Sequence, residues 1–185
     1  MLHHRAGSGS STKVIFAAAD RLADALHKEA VDEANWDEVR DSGALELLTS
    51  LLRLGPCRAA TQAAAALTHL AHNTNNRDAI REHEAILPLV VLLSEPQEGS
   101  AAFRAQDLLQ QAGQPAVDWI ETATNAAAAL RNLTHNNQAN QDGIRDAGGI
   151  GPLIELLRMG PSSNAASRAA DALGGLARNL SLIHI

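Results

Sequence analysis

The sequence has 185 residues, enough for one domain with a hydrophobic core, and 45% of them are apolar, which excludes a disordered chain. Ala and Leu carry most of that fraction, aromatics are 2% and Tyr is absent, so helices are favoured over a sandwich, a barrel or a large parallel sheet. The net charge of -6 argues against a general binder of phosphate backbones, and the single Cys excludes an internal disulfide and a Cys-built zinc site.

Residues 1–12, with Gly7-Ser8-Gly9-Ser10-Ser11, read as a flexible tail, and they lack a signal-peptide core. The longest apolar run, residues 85–93, contains Pro88 and falls far short of the roughly 20 residues that span a membrane. Residues 13–33 predict a helix, either the last helix of an incomplete repeat or a partial cap. Asp20, Asp24, Glu29, Asp32 and Glu33 give it a polar face.

Three phased segments follow. They are Val39-Arg40-Asp41-Ser42-Gly43-Ala44-Leu45, Ile80-Arg81-Glu82-His83-Glu84-Ala85-Ile86 and Ile144-Arg145-Asp146-Ala147-Gly148-Gly149-Ile150. Each leads into one helical face: Leu45, Leu48, Leu51 and Leu52, then Ile86, Leu89, Leu92 and Leu93, then Ile150, Leu153, Leu156 and Leu157. Gly55-Pro56 and Gly160-Pro161 stop that helix in two copies, and Glu95-Pro96 in the middle one. An Ala-rich third helix completes each unit, marked by Ala66-Leu67-Thr68-His69-Leu70, Ala129-Leu130-Arg131-Asn132-Leu133 and Ala172-Leu173-Gly174-Gly175-Leu176. Arg40 and Arg81 stand 41 residues apart, a helical-solenoid period, whereas Arg81 and Arg145 stand 64 apart. The excess lies at about residues 97–121, an insertion with a helix over 100–112 and a break at Gly113-Gln114-Pro115. Trp119 and Ile120 start a lengthened third helix. The expected divisions are thus 34–74, 75–136 and 137–180, with 181–185 a tail that looks non-native.

The G-[AG]-[LI] turn, the L-x-x-L-L second helix and the A-x-x-x-A-L-x-N-L third helix resemble the armadillo repeat. Residues 125–159 match best, and the likeness covers about residues 34–180 without the insertion. HEAT repeats are the related alternative. The resemblance implies an all-α, right-handed superhelix whose third helices line a concave groove for extended peptides or protein segments. It also implies that an Asn late in the third helix holds a ligand's backbone amides. Asn132 occupies that position, and His69 and Gly175 replace it in the other copies. The Trp that accompanies this Asn in nuclear-import members is Ala65, Ala128 and Asp171 here, so the array that grips basic signals is missing.

Helical spacing puts Gln62, Ala65, His69 and His72 on one face in the first copy. Asn125, Ala128, Asn132 and His135 share it in the second, and Arg168, Asp171, Gly175 and Arg178 in the third. This column is the expected partner-binding groove, with an ordinary solvated face as the other reading. Asn132 lies off the face that carries Leu130 and Leu133, so Asn132→Ala is expected to cost little stability and to weaken binding. Asn, His and Gly at this position read as variation with the ligand.

Cys57 begins a helix, which favours thiolate, yet no partner motif accompanies it and a packed thiol is expected. Trp36 reads as a packing residue. Trp119 reads as an anchor for the insertion or an exposed hot spot. No P-loop or nucleophile elbow is present, and the His residues form no compact metal motif.

The sequence therefore predicts a protein-interaction module, an adaptor or scaffold and not an enzyme. No cofactor, metal, nucleic acid, membrane insertion or small-molecule substrate is expected, and the location is intracellular, in cytoplasm or nucleus. The alternative is an architectural segment of a larger armadillo-repeat protein, or the docking region of a catalytic chain. The chain is expected to be a fragment or a minimal array, and the insertion to set partner choice.

Overall fold

The computed structural model describes residues 6–111, 113 and 117–178. Helices succeed one another in chain order: α1 (Ala6–Val31), a 3-10 turn (Glu33–Asn35), α2 (Trp36–Asp41), α3 (Ala44–Leu52), α4 (Arg58–Leu70), α5 (Thr74–Glu82) and α6 (Ile86–Val91). Then come α7 (Ala101–Gln111), α8 (Trp119–Thr134), α9 (Gln138–Asp146), α10 (Ile150–Leu157) and α11 (Asn164–Ala177). No strand occurs among the described residues.

Local chemistry sets these boundaries. Asn73, Asp118, Asn137 and Ser163 cap α5, α8, α9 and α11, each accepting a backbone N–H of the first turn. Between first and second helices the chain turns through a left-handed residue, Gly43 at φ 82° and Gly148 at φ 75°. The middle copy makes the same turn with Glu84, at φ 58°.

Helix α1 begins at Ala6, so it runs into the Gly/Ser stretch that the composition assigns to a flexible tail. Extending an existing helix gains a hydrogen bond for each residue fixed, and that offsets weak local propensity. Residues 1–5 of that expected 1–12 tail, and the expected tail at 181–185, lie outside the described residues.

The third helices stack in one layer, α1 on α4, α4 on α8 and α8 on α11. The short helices form the opposite layer, where α3 packs on α4, α6 on α8 and α10 on α11. Alanines fill the first layer: Ala59, Ala60, Ala63 and Ala64 on α4, then Ala123, Ala126, Ala127 and Ala129 on α8, are fully buried. The leucine faces of α3 and α6 are buried as their spacing predicts. In the third copy Leu153 and Leu156 are buried, but Ile150, Ile154 and Leu157 are 39%, 43% and 38% exposed. The matching residues of the earlier copies are buried, where α3 meets α6 and α6 meets α9.

Polar rungs join the repeats. Arg40 Nη1 donates to Asn76 Oδ1 at 3.2 Å, and Arg81 Nη1 donates to Asn140 Oδ1 at 3.0 Å. Asn140 is fully buried, and its amide also donates to the carbonyls of Arg77 and Leu133, both at 3.1 Å. Arg145, at the same register, turns instead to the Leu176 carbonyl at 2.9 Å, and its buried Nε has no hydrogen-bond partner.

The insertion helix α7 packs on α1. With the start of α4 it encloses a cavity of about 220 Å³ lined by Asp20, Cys57, Phe103 and Leu109 among others. Trp119 is half-buried against the core.

Glu84 is an L-residue in a glycine conformation, which costs roughly 1–2 kcal/mol, and its Arg53 ion pair is exposed and contributes little. Glu84→Gly is expected to stabilise the fold by about 0.5–1 kcal/mol, the left-handed penalty less the chain entropy that glycine adds. Urea denaturation of the two proteins measures the difference. A less stable glycine variant would show that the exposed pair matters more than the backbone.

Candidate functional site

The C-terminal ends of α4, α8 and α11 meet the start of α5 around a polar depression of about 330 Å³. Its walls bring together His72, Asn132, His135, Asp171 and Arg178 of the expected column, with Gly175 beside them. The remaining members lie elsewhere. Ala128 is buried, Gln62, Ala65 and Asn125 are half-buried, and Arg168 is exposed along α11. His69 sits further along the layer, its ring 5.5 Å from that of His27 on α1.

Asn132 corrects its expected environment. It is only 7% exposed, because it points into the seam with the preceding third helix. Its Nδ2 donates to the Thr68 carbonyl at 2.8 Å and lies 3.3 Å from His72 Nε2. Its Oδ1 accepts from Arg131 Nη1 at 3.2 Å. The amide is thus already satisfied within the protein, and Asn132→Ala takes a donor from the Thr68 carbonyl and one of its acceptors from Arg131, which keeps Asp171. A stability loss of roughly 1–3 kcal/mol replaces the small effect expected from a surface site.

The equivalent positions tell the same story. His69 meets His27, Asn132 meets Thr68, and Gly175 meets Thr134, each on the preceding third helix. A Cβ built at Gly175 collides with Thr134 Oγ1 and stands 2.8 Å from Thr134 Cβ. Thr134 is buried and donates its hydroxyl to the Arg131 carbonyl at 2.7 Å, so it has little room to give. The His, Asn and Gly at this register answer to their neighbour's shape.

Two site residues lie outside the expected column. Arg77 is buried, and its guanidinium donates to the carbonyls of Ala71 at 2.7 Å, His72 at 3.0 Å and His135 at 2.8 Å. It ties the end of α4 to the end of α8. Burial lowers its pKa from the ordinary arginine value. Its register is that of Trp36, whose Nε1 donates to the Ala30 carbonyl at 2.8 Å, and of Gln141, which donates to the Thr134 carbonyl at 2.8 Å. The repeat phase itself was the signal that would have found this trio. Arg131 stands in the quoted third-helix motif and forms a 3.4 Å ion pair with Asp171.

His72 stacks on Trp36, with ring centroids 6.1 Å apart. The amide donor at Nε2 asks that nitrogen to accept, which only the neutral imidazole does. Burial, with His69, Arg131 and Arg77 nearby, holds its pKa below the ordinary histidine value against a small opposing pull from Glu33. His27 is lowered too, by burial and then by His69, and its buried Nδ1 has no partner. For Cys57 burial prevails over the helix N-terminus and pushes the thiol pKa up, so it is a packed thiol in a resting state.

No group of three His, Cys, Asp or Glu among the described residues is placed to hold a metal ion. No described helix is long and apolar enough to cross a membrane.

These features define an all-α solenoid of three-helix repeats with a polar depression at the ends of its third helices. The chain is 34% identical over 126 residues to the human Armadillo repeat-containing protein 3, covering 57% of this chain and 14% of that protein. It therefore spans only about a seventh of that relative's length. The three phased helix triplets and this likeness support an armadillo-type repeat architecture, with no particular member singled out. No protein-family model matches it. Among solved structures, a designed armadillo repeat protein in complex with the peptide (KR)4 is 19% identical, covering 92% of this chain and 87% of its own at a TM-score of 0.41. A computationally designed armadillo repeat protein for modular peptide recognition is 23% identical, covering 87% and 75% at a TM-score of 0.41.

Gly175→Ala is expected to destabilise by roughly 1–3 kcal/mol, as overpacking of a closed seam does, with Gly174→Ala, which meets open space, as the contrasting control. Equal denaturation midpoints for the two variants would contradict the seam assignment.

A second expectation concerns pH. His27 and His72 have folded pKa values below their unfolded values, so the unfolded chain binds protons first as pH falls. Their contribution to stability is complete above the unfolded value of about 6.5 and declines as pH drops below it towards the folded values. The melting temperature should therefore fall between pH 7.5 and 5.5, and fall less in His27→Phe. A melting temperature that rises over this interval would refute the assignment.

Proposed function

We propose that this chain is a protein-interaction module that holds an extended peptide or protein segment along the face formed by the ends of α4, α8 and α11. The observation that carries this reading is the polar depression shared by three successive third helices. It presents side-chain donors and acceptors to a ligand that lies across the helices, which suits the alternating amides of an extended chain. The designed armadillo proteins cited above recognise peptides, in keeping with this use of the architecture. Asn132 serves as a scaffold of that face, and His72, His135, Asp171 and Arg178 are its accessible contacts.

A second reading, an architectural segment of a larger armadillo-repeat protein, is favoured by Ile150, Ile154 and Leu157, which are exposed where their counterparts are covered.

Selection from a random peptide library tests the two. Under the groove reading, selected peptides should bind the His72→Ala/His135→Ala variant about fivefold or more weakly, a hot-spot loss of about 1 kcal/mol. They should bind Leu87→Ser/Val91→Ser, on the exposed side of α6, unchanged. The reverse pattern moves the site to the other layer. A library that returns no binder supports the architectural reading.

A further inference from the structure

We propose that the depression between α8 and α11 receives an acidic side chain, Asp or Glu, of an extended partner peptide, with Arg131 and Arg178 as its anion-binding groups. This rests on the groove reading above. The protein as a whole carries a net charge of -6, yet the depression is lined by Arg77, Arg131 and Arg178 against the single carboxylate of Asp171. Such a local excess of positive charge in an otherwise acidic protein steers and selects anionic segments.

The three guanidinium groups are not equivalent. Arg77 is buried and committed to three backbone carbonyls, so it supplies field and no ligand contact. Arg131 is about half exposed, and its pair with Asp171 is long, 3.4 Å, between two half-exposed side chains. Such a pair is weak and exchangeable. Asp171 therefore occupies the place that a ligand carboxylate would take. An incoming Asp or Glu side chain gains charge-assisted hydrogen bonds from the guanidinium fork, and these are roughly twice as strong as neutral ones. Space for it is the depression itself, about 330 Å³ between the ends of α4, α8 and α11. A basic peptide would meet guanidinium groups at the same place.

Three fluorescein-labelled peptide pools of equal length and equal apolar content test this. They differ only at positions filled with Asp/Glu, with Asn/Gln or with Lys/Arg, and binding is read by anisotropy at low and high salt. The acidic pool is expected to bind about tenfold or more tightly than the amide pool, with the gap narrowing at high salt. Arg131→Gln/Arg178→Gln, both at exposed positions and checked for folding by melting, should abolish the gap. Asp171→Asn should widen it several-fold by removing the internal competitor.

Equal binding of the three pools, or preference for the basic one, overturns the acidic preference and leaves the groove reading standing. An acidic preference that survives the double arginine variant, or that weakens in Asp171→Asn, overturns the assignment to this depression. Failure of every pool to bind overturns both this proposal and the groove reading.

Discussion

Close approach of the third helices governs most of what is distinctive in this molecule. Alanine makes that approach possible: it forms helix without losing side-chain entropy and adds almost no bulk between helix axes. The buried alanines of α4, α8 and α11 place successive helices so near that every larger residue in the seam meets one specific neighbour. Thr61 and Thr122 share a 2.7 Å hydrogen bond between hydroxyls across one such seam, and Thr68 donates both to the Ala64 carbonyl of its own helix at 2.9 Å and to the Asn125 carbonyl at 3.3 Å. The groups that meet across the seam differ from one repeat to the next. His69 faces His27, Asn132 faces a backbone carbonyl, and where Thr134 fills the gap its neighbour is Gly175.

The same closeness creates a second demand. A helix leaves its last carbonyls without partners, and here those carbonyls lie between layers where water has little access. The first helix of the next repeat answers with a side-chain donor at one fixed register: an indole at Trp36, a guanidinium at Arg77 and an amide at Gln141. Three chemically different residues do one task, because the task requires only an N–H of sufficient reach. The Arg–Asn rungs add a second set of bonds between first helices, and Asn140 shows how fully a buried amide is used when it makes three side-chain hydrogen bonds.

The repeat was readable in the sequence because it rests on local signals. Apolar spacing, glycine turns and capping residues each act over a few positions, and the phase of Arg40, Arg81 and Arg145 placed them in register. Much of the depression was also reachable, since His72, Asn132, His135, Asp171 and Arg178 follow from one helical face repeated. The orientation of Asn132 was not. Its offset from Leu130 and Leu133 shows that it leaves the core face of its own repeat. The offset cannot distinguish open groove from the seam with the helix before, because Thr68 lies 64 residues away. Glu84 shows the complementary case: the backbone keeps the left-handed turn where the sequence has abandoned glycine, because packing on both sides of the turn imposes it. The role of Arg77 is hidden for a related reason, since nothing in one repeat reveals that Trp, Arg and Gln do the same task.

Net charge is a poor guide to such a surface, because it counts arginines without regard to what they hold. Arg77 donates to three carbonyls at the ends of α4 and α8, so its donors are used by the fold and are not offered to a ligand. Arg145 is similarly drawn to the Leu176 carbonyl and to Asp142. Arg131 differs in that its partners are side chains, Asn132 in the seam and Asp171 at the surface, and the surface partner can be exchanged while a helix-end carbonyl cannot. The functional character of the depression thus depends on the difference between Arg77, held by backbone carbonyls, and Arg131, held by side chains. Burial draws the line: Arg77, on α5, is buried and bound to backbone, whereas Arg131, on α8, is about half exposed and bound to side chains.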